Sequence, residues 1–200
     1  PGEPKLTDLE WAETKMIRRE SGDVHLSGVI ATPLGAVEKH LVFRALAPRV
    51  DFDLQFHWTS WGKGSLRLGH ITLLPEAFDG GALRFATHNG GTVPEVFSLA
   101  GQTVDHGAPV SFLVSASCGV GMTEGWAELG DDRRGIRIEV DRETAPLMGL
   151  LTSKRVGGSL FCQVMLSALE LDDTRRPGAY RPAHLAGPRR ARFSLIRGGF

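Results

Sequence analysis

A small set of side chains in this chain has the types that carbohydrate chemistry uses. Trp58, Trp61 and Trp126 offer flat apolar surfaces for the faces of sugar rings, and His57, His88, Asn89, Glu95 and Glu124 offer imidazole, amide and carboxylate groups for the hydroxyls. Trp58 falls on the apolar side of an alternating run and reads as core, whereas Trp61 sits in the polar turn 59–64 (TSWGKG) and is the exposed platform expected from sequence. Hydrolysis of a glycoside would also need two carboxyl groups about 5 to 10 Å apart. Glu124 and Glu95 have that chemistry, but both also read as ordinary acids at strand ends. The expected carbohydrate-contacting set is therefore Trp61, His57, His88, Asn89, Glu95, Glu124 and Trp126, with no catalytic residue assigned.

Other chemistries find less support. There is no Gly-x-x-x-x-Gly-Lys-Ser/Thr loop, no Gly-x-Gly-x-x-Gly opening a helix and no Gly-x-Ser-x-Gly elbow, so phosphate cradles and serine hydrolases are not expected. His57, His70 and His88 fall on successive strands with Asp79 and Glu95 nearby, yet no spacing pattern ties them to a metal, and no metal or other cofactor is expected. The acidic pair Asp131-Asp132 reads as a solvated hairpin tip. Cys118 and Cys162, the only cysteines, both lie in apolar runs and read as buried thiols; a disulfide between them stays open. Cys118 with Asp105 and His106 reads as a strand and a turn, not as a nucleophile with its base.

Charge is balanced overall, at 23 basic and 23 acidic residues, but not along the chain. From Thr174 onward there is no acid, while Arg175, Arg176, Arg181, Arg189, Arg190, Arg192 and Arg197 leave residues 1 to 173 with a net charge of minus seven (16 basic against 23 acidic). A basic segment lying over the acidic body of the same molecule is the expectation, and with only Tyr180 and Phe193 interleaved a nucleic-acid partner is not. No run approaches the roughly 18 apolar residues of a spanning helix, so no membrane partner is expected. The start carries neither a basic n-region nor an apolar h-region, which favours a soluble, cytoplasmic location.

The elements that must position these side chains read as strands. With 25 Gly and 11 Pro, turns are frequent. Residues 50 to 58 (VDFDLQFHW) alternate strictly, placing Val50, Phe52, Leu54, Phe56 and Trp58 on one face and Asp51, Asp53, Gln55 and His57 on the other. The same period recurs at 24 to 30, 134 to 140 (Ile136, Ile138 and Val140 inward) and 192 to 196. Residues 65 to 74 and 158 to 170 are more continuously apolar, as expected of strands covered on both faces. Further strands are expected at 37 to 44, 82 to 87, 94 to 100, 110 to 117 and 123 to 129. Residues 9 to 19 suit either a helix or an entering strand, and a short helix at 143 to 151 would be interrupted by Pro146. The whole indicates one all-β domain over 1–200, a large antiparallel sandwich of about 10 to 12 strands with few short helices, in which 175–191 is a basic Pro-rich loop before the last strand.

Three longer stretches carry a resemblance: SLRLGHITLLPEAFDGGALRFATHNGG, then HGAPVSFLVSASCGVGMTEGWAELGDDRRGIRIEVDRETAP, and SLFCQVMLSALELDDT before the final RFSLI. Together they resemble the C-terminal β-sandwich of large glycoside hydrolases of the family 38 and family 57 type, the galactose-mutarotase-like supersandwich. The resemblance implies a carbohydrate-associated accessory domain, not catalytic by itself, that packs against a catalytic α/β barrel carrying the active carboxylates. A chain that begins at Pro1 without a leader suits such a fragment or subunit. It also implies an apolar docking patch and self-association, hence homo-oligomers, when the barrel is absent. True aldose mutarotases use a His and a Glu on the concave sheet, and no catalytic role is carried over from them to His88 or Glu124. A stand-alone epimerase or lyase on the same fold, and a non-catalytic β-sandwich or barrel binding another ligand or a protein, are the alternatives.

Overall fold

The computed structural model describes residue 7 and residues 11–61, 65–104, 120–170 and 187–199. Within them lie thirteen strands: β1 (Thr14–Arg18), β2 (Val24–Thr32), β3 (Gly35–Phe43), β4 (Arg49–Trp58), β5 (Leu66–Thr72), β6 (Arg84–Thr87), β7 (Glu95–Ser98), β8 (Gly121–Met122), β9 (Trp126–Gly130), β10 (Gly135–Val140), β11 (Met148–Val156), β12 (Ser159–Leu169) and β13 (Arg190–Gly198). A single 3-10 turn, Pro75–Ala77, is the only helical element among the described residues. Nine strands form one sheet in the order β1-β2-β3-β4-β13-β10-β9-β6-β7, and four form a second in the order β5-β12-β11-β8. All strand pairs are antiparallel, so the fold is the all-β sandwich that the alternation demands.

The core lies between the sheets and is built from alternate residues of each strand. Leu54 and Phe56 of β4, Phe85 of β6, Ala127 and Leu129 of β9, Ile138 of β10 and Phe193 of β13 face Leu151 of β11 and Cys162, Val164 and Leu166 of β12. The pattern expected at 50 to 58 holds: Phe52 and Trp58 pack on this core, while Asp51, Asp53 and Gln55 turn to the other side. Phe52 stacks on Phe193 with ring centroids 4.6 Å apart, which fastens β4 to β13.

Three expectations change. Of the two alternatives for residues 9 to 19 the strand is the one formed, as β1, and no helix forms at 143 to 151, which gives way after Pro146 to β11. The apolar runs at 65 to 74 and 158 to 170 are not covered on both faces among the described residues: Arg67, His70 and Thr72 of β5 are exposed, because antiparallel strands at the outside of a two-layer sandwich bury only alternate side chains. Asp131 is no solvated tip. It is buried, and its carboxylate accepts the backbone N–H groups of Asp79 (2.7 Å), Arg133 (2.8 Å) and Arg134 (2.8 Å), which hold it below the ordinary carboxyl range; Asp132 beside it is exposed and pairs with Arg84. The expected strand at 110 to 117, the turn at 105 to 107, Cys118, and Arg175, Arg176 and Arg181 of the basic stretch lie outside the described residues.

The β2–β3 hairpin offers a direct test. Gly35 has φ +133°, and a Cβ there would run into the His57 carbonyl of the neighbouring β4. Gly35→Ala combines backbone strain with that clash, and a loss of about 1–3 kcal/mol is expected in urea unfolding. A change under about 0.5 kcal/mol, typical of an ordinary surface site, would show that the hairpin relaxes freely.

Candidate functional site

The expected site residues divide into separate groups. Asn89, at the end of β6, is the centre of one: its amide N–H groups donate to Glu95 Oε2 and to the Gly121 carbonyl (both 3.0 Å), and its Oδ1 accepts from the Thr123 backbone N–H (2.9 Å) and hydroxyl (3.2 Å). Asn89 is thus a splice between two turns, with its hydrogen-bonding capacity used internally. Glu124 follows and accepts from Arg142 at 2.9 Å. His88 is half-buried just before Asn89. Trp61 differs from expectation: it is half-buried against Phe56 and Trp58, with centroids 5.8 and 5.0 Å away, and the Gly187 backbone lies on its ring. Apolar area drew it onto the aromatic cluster, so it plugs one end of the sandwich and is not an open platform. His57 is exposed on the other face of β4, with Nε2 3.0 Å from Glu38.

A wide concavity lies elsewhere, on the polar face of the nine-stranded sheet. It is a groove of about 660 Å³ crossing β2, β3, β4, β13 and β10. Register explains its lining: His25, Val42, Asp51, Ser194 and Glu139 stand side by side on five successive strands, with Trp126 of β9 next in the row beyond the groove, and His40, Asp53 and Arg192 form the neighbouring row. Trp126 therefore stands at the edge of the groove, beside Glu139, with the Arg137 guanidinium 4.6 Å from its ring centroid.

Charges alternate along the groove and neutralise one another. Arg190 grips Asp53 through two hydrogen bonds, Nε to Oδ1 at 2.8 Å and Nη2 to Oδ2 at 2.5 Å, and Arg192 Nε lies 3.4 Å from the same carboxylate and Nη1 3.7 Å from Asp141. Asp51 accepts from Arg49 (2.5 Å), Arg44 (2.7 Å) and the Ser194 hydroxyl (2.7 Å). Hydrogen bonding from Arg190 outweighs the cost of burial and holds Asp53 below the ordinary range. At Asp51 burial is the largest influence and opposes ionisation, but Arg49, Ser194 and Arg44 together overcome it. Of the four tail arginines among the described residues, Arg190 and Arg192 thus pair with acids of the body.

These depressed carboxyls set an acid sensitivity. Each contributes stability that is present above its unfolded value of about 4 and is lost as pH falls through its lower folded value. Glu170, where Arg67, Ser167 and Ser65 overcome burial, adds to the same window. Urea midpoints are expected to stay level from neutrality to about pH 4.5 and to fall steeply below about pH 4. A midpoint that falls by the same amount between pH 7 and 5 would contradict the pairing.

Among the described residues no group of three or more His, Cys, Asp or Glu is arranged to hold a metal: His57 lies on β4 of one sheet, His70 on β5 of the other, and His88 just beyond the end of β6. Cys162 is a free thiol, buried between the sheets, where desolvation pushes it up to about 11 and leaves it inert as a nucleophile. No described helix is long and apolar enough to cross a membrane.

Fold and groove together define an antiparallel β-sandwich with a charged, hydrogen-bond-dense cleft on its larger sheet. No protein-family model matches the chain, and no curated protein matches it. Among solved structures it is similar to an Escherichia coli K12 protein provisionally described as an aldose 1-epimerase, at 15% identity, covering 94% of this chain and 69% of that one with a TM-score of 0.46. A likeness this remote assigns no activity.

Proposed function

We propose that this chain is a carbohydrate-binding β-sandwich domain of the mutarotase-like kind, an accessory part of a glycoside hydrolase and not a catalyst by itself. The supporting observation is the 660 Å³ groove, in which carboxylates, guanidiniums, imidazoles and the Gln55 amide crowd one face of the sheet. Sugar hydroxyls are donors and acceptors at once, and fixed ion-pair networks present both kinds of partner with their orientation already set. Trp126, in line with the groove, supplies the apolar face for a ring.

The same geometry keeps the two central carboxyls from serving as a general acid. A general acid must stay protonated near neutrality, and Asp51 and Asp53, at the groove's centre, are held ionised by arginines. The catalytic carboxylates are then expected on a partner, an α/β barrel domain or subunit.

Calorimetric titration and thermal shift against a panel of mono- and oligosaccharides test this reading. Saturable binding by a sugar, weakened at least about tenfold by Trp126→Ala and untouched by Trp61→Ala, is the expected result. Absence of binding to any sugar, or binding lost equally in both variants, would overturn it. Catalysed anomer exchange by the isolated chain, followed by NMR, would replace the accessory reading with the epimerase one.

A further inference from the structure

We propose that β1 is a self-pairing edge, and that two copies of this chain join through it in antiparallel register about a two-fold axis at Met16, continuing the nine-stranded sheet across the dimer. β1 ends that sheet: it pairs with β2 on one side, and no described strand lies on the other. All five of its residues are exposed, Met16 at 73% and Ile17 at 49%. The core between the sheets draws no residue from β1. An open row of backbone donors and acceptors flanked by apolar side chains is a template for another strand.

The hairpin fixes which backbone groups are offered. The Arg19 N–H donates to the Asp23 carbonyl at 2.9 Å, and antiparallel ladders alternate from such a pair. Arg19, Ile17 and Lys15 therefore turn their backbone groups toward β2, while Arg18, Met16 and Thr14 turn theirs outward. Across the open edge, outward residues pair only with outward residues, which leaves few two-fold registers.

Charge then selects among them. An axis at Lys15 sets that residue against its own copy, one at Ile17 sets Lys15 against the partner's Arg19, and one at Arg18 sets two arginines together; like charges directly opposite are destabilising. An axis at Thr14 leaves most of the strand without a strand to pair with. The axis at Met16 places Glu13 opposite the partner's Arg19, twice by symmetry, and Lys15 opposite the partner's Ile17. It also brings the two Met16 side chains together on the face shared with Leu26 and Leu41. Self-complementarity of this kind is what a two-fold interface requires.

Sedimentation velocity of the full chain over about 1–100 μM is expected to show a reversible dimer. Glu13→Arg, which sets arginine against Arg19, is expected to weaken it about tenfold, and Glu13→Arg with Arg19→Glu to restore it. Met16→Pro removes an outward N–H without touching the β2 ladder, so the dimer is expected to be lost while far-ultraviolet circular dichroism stays unchanged. In a Cys118→Ser background, Met16→Cys is expected to cross-link to itself under mild oxidation and Lys15→Cys not to, because backbones of directly opposed residues lie about 5.5 Å apart. A monomer at every concentration, a dimer that survives Met16→Pro, or a charge swap that fails to restore pairing would overturn the proposal. If Met16→Pro unfolds the chain, the charge swap and the cysteine pair decide alone.

Discussion

Phe85→Ala is expected to remove about 3–5 kcal/mol of unfolding free energy, the largest loss from any single truncation considered. Phe85 is fully buried in β6, opposite Leu129 of β9 and Phe97 of β7, with the Phe97 ring 6.4 Å away. Its ring lies in the core between the two sheets, where the neighbours are strand residues whose backbones are pinned by ladders and cannot collapse into the void. Loss of transfer energy and creation of a cavity therefore add. Val96→Ala one strand position away, 58% exposed, is the control and should change the urea midpoint little. A loss for Phe85→Ala under about 1 kcal/mol would mean that the sandwich is loosely packed at this point.

Asp53→Asn is expected to weaken sugar binding in the groove at least about tenfold and to cost about 1–2 kcal/mol of stability. The substitution keeps the shape of the side chain but withdraws the charge that two guanidiniums share, leaving Arg190 and Arg192 adjacent with Asp141 alone to balance them. The stability cost is set below that of a fully buried pair, because the arginine side chains are 42% exposed and water screens them. Binding should suffer more, since both arginines would lose the orientation that presents their remaining N–H groups to a ligand. Calorimetry of the variant beside its urea unfolding separates the two effects. Unchanged sugar affinity together with the expected stability loss would remove the groove from the proposed function while leaving its ion pairs structural.

How much was legible in the chain can be seen strand by strand. Alternation at 50 to 58 is local information, so the polar row Asp51, Asp53, Gln55 and the apolar row beneath it were both readable, and β2, β10 and β13 followed by the same reasoning. Among the described residues of the basic end, Arg190 and Arg192 lie on acids of the body. Which acids could not be read. Arg190 and Asp53 are 137 residues apart, Arg49 and Ser194 145, and they meet only because β13 inserts between β4 and β10.

The proposed site shows the same division. Types and spacing pointed to Trp61 and Asn89 as contact residues, since an aromatic in a polar turn and an amide before two glycines are what an open surface would show. Tertiary packing used both otherwise, folding Trp61 onto Phe56 and Trp58 and spending the Asn89 amide on two turns. The sequence by itself determined that this is an all-β sandwich and which face of an alternating strand such as β4 is polar, because those depend on period. Strand order alone decided where a groove opens, which carboxylates it holds ionised and which strand is left as a bare edge, because each of these depends on residues brought together across the sheet from distant parts of the chain.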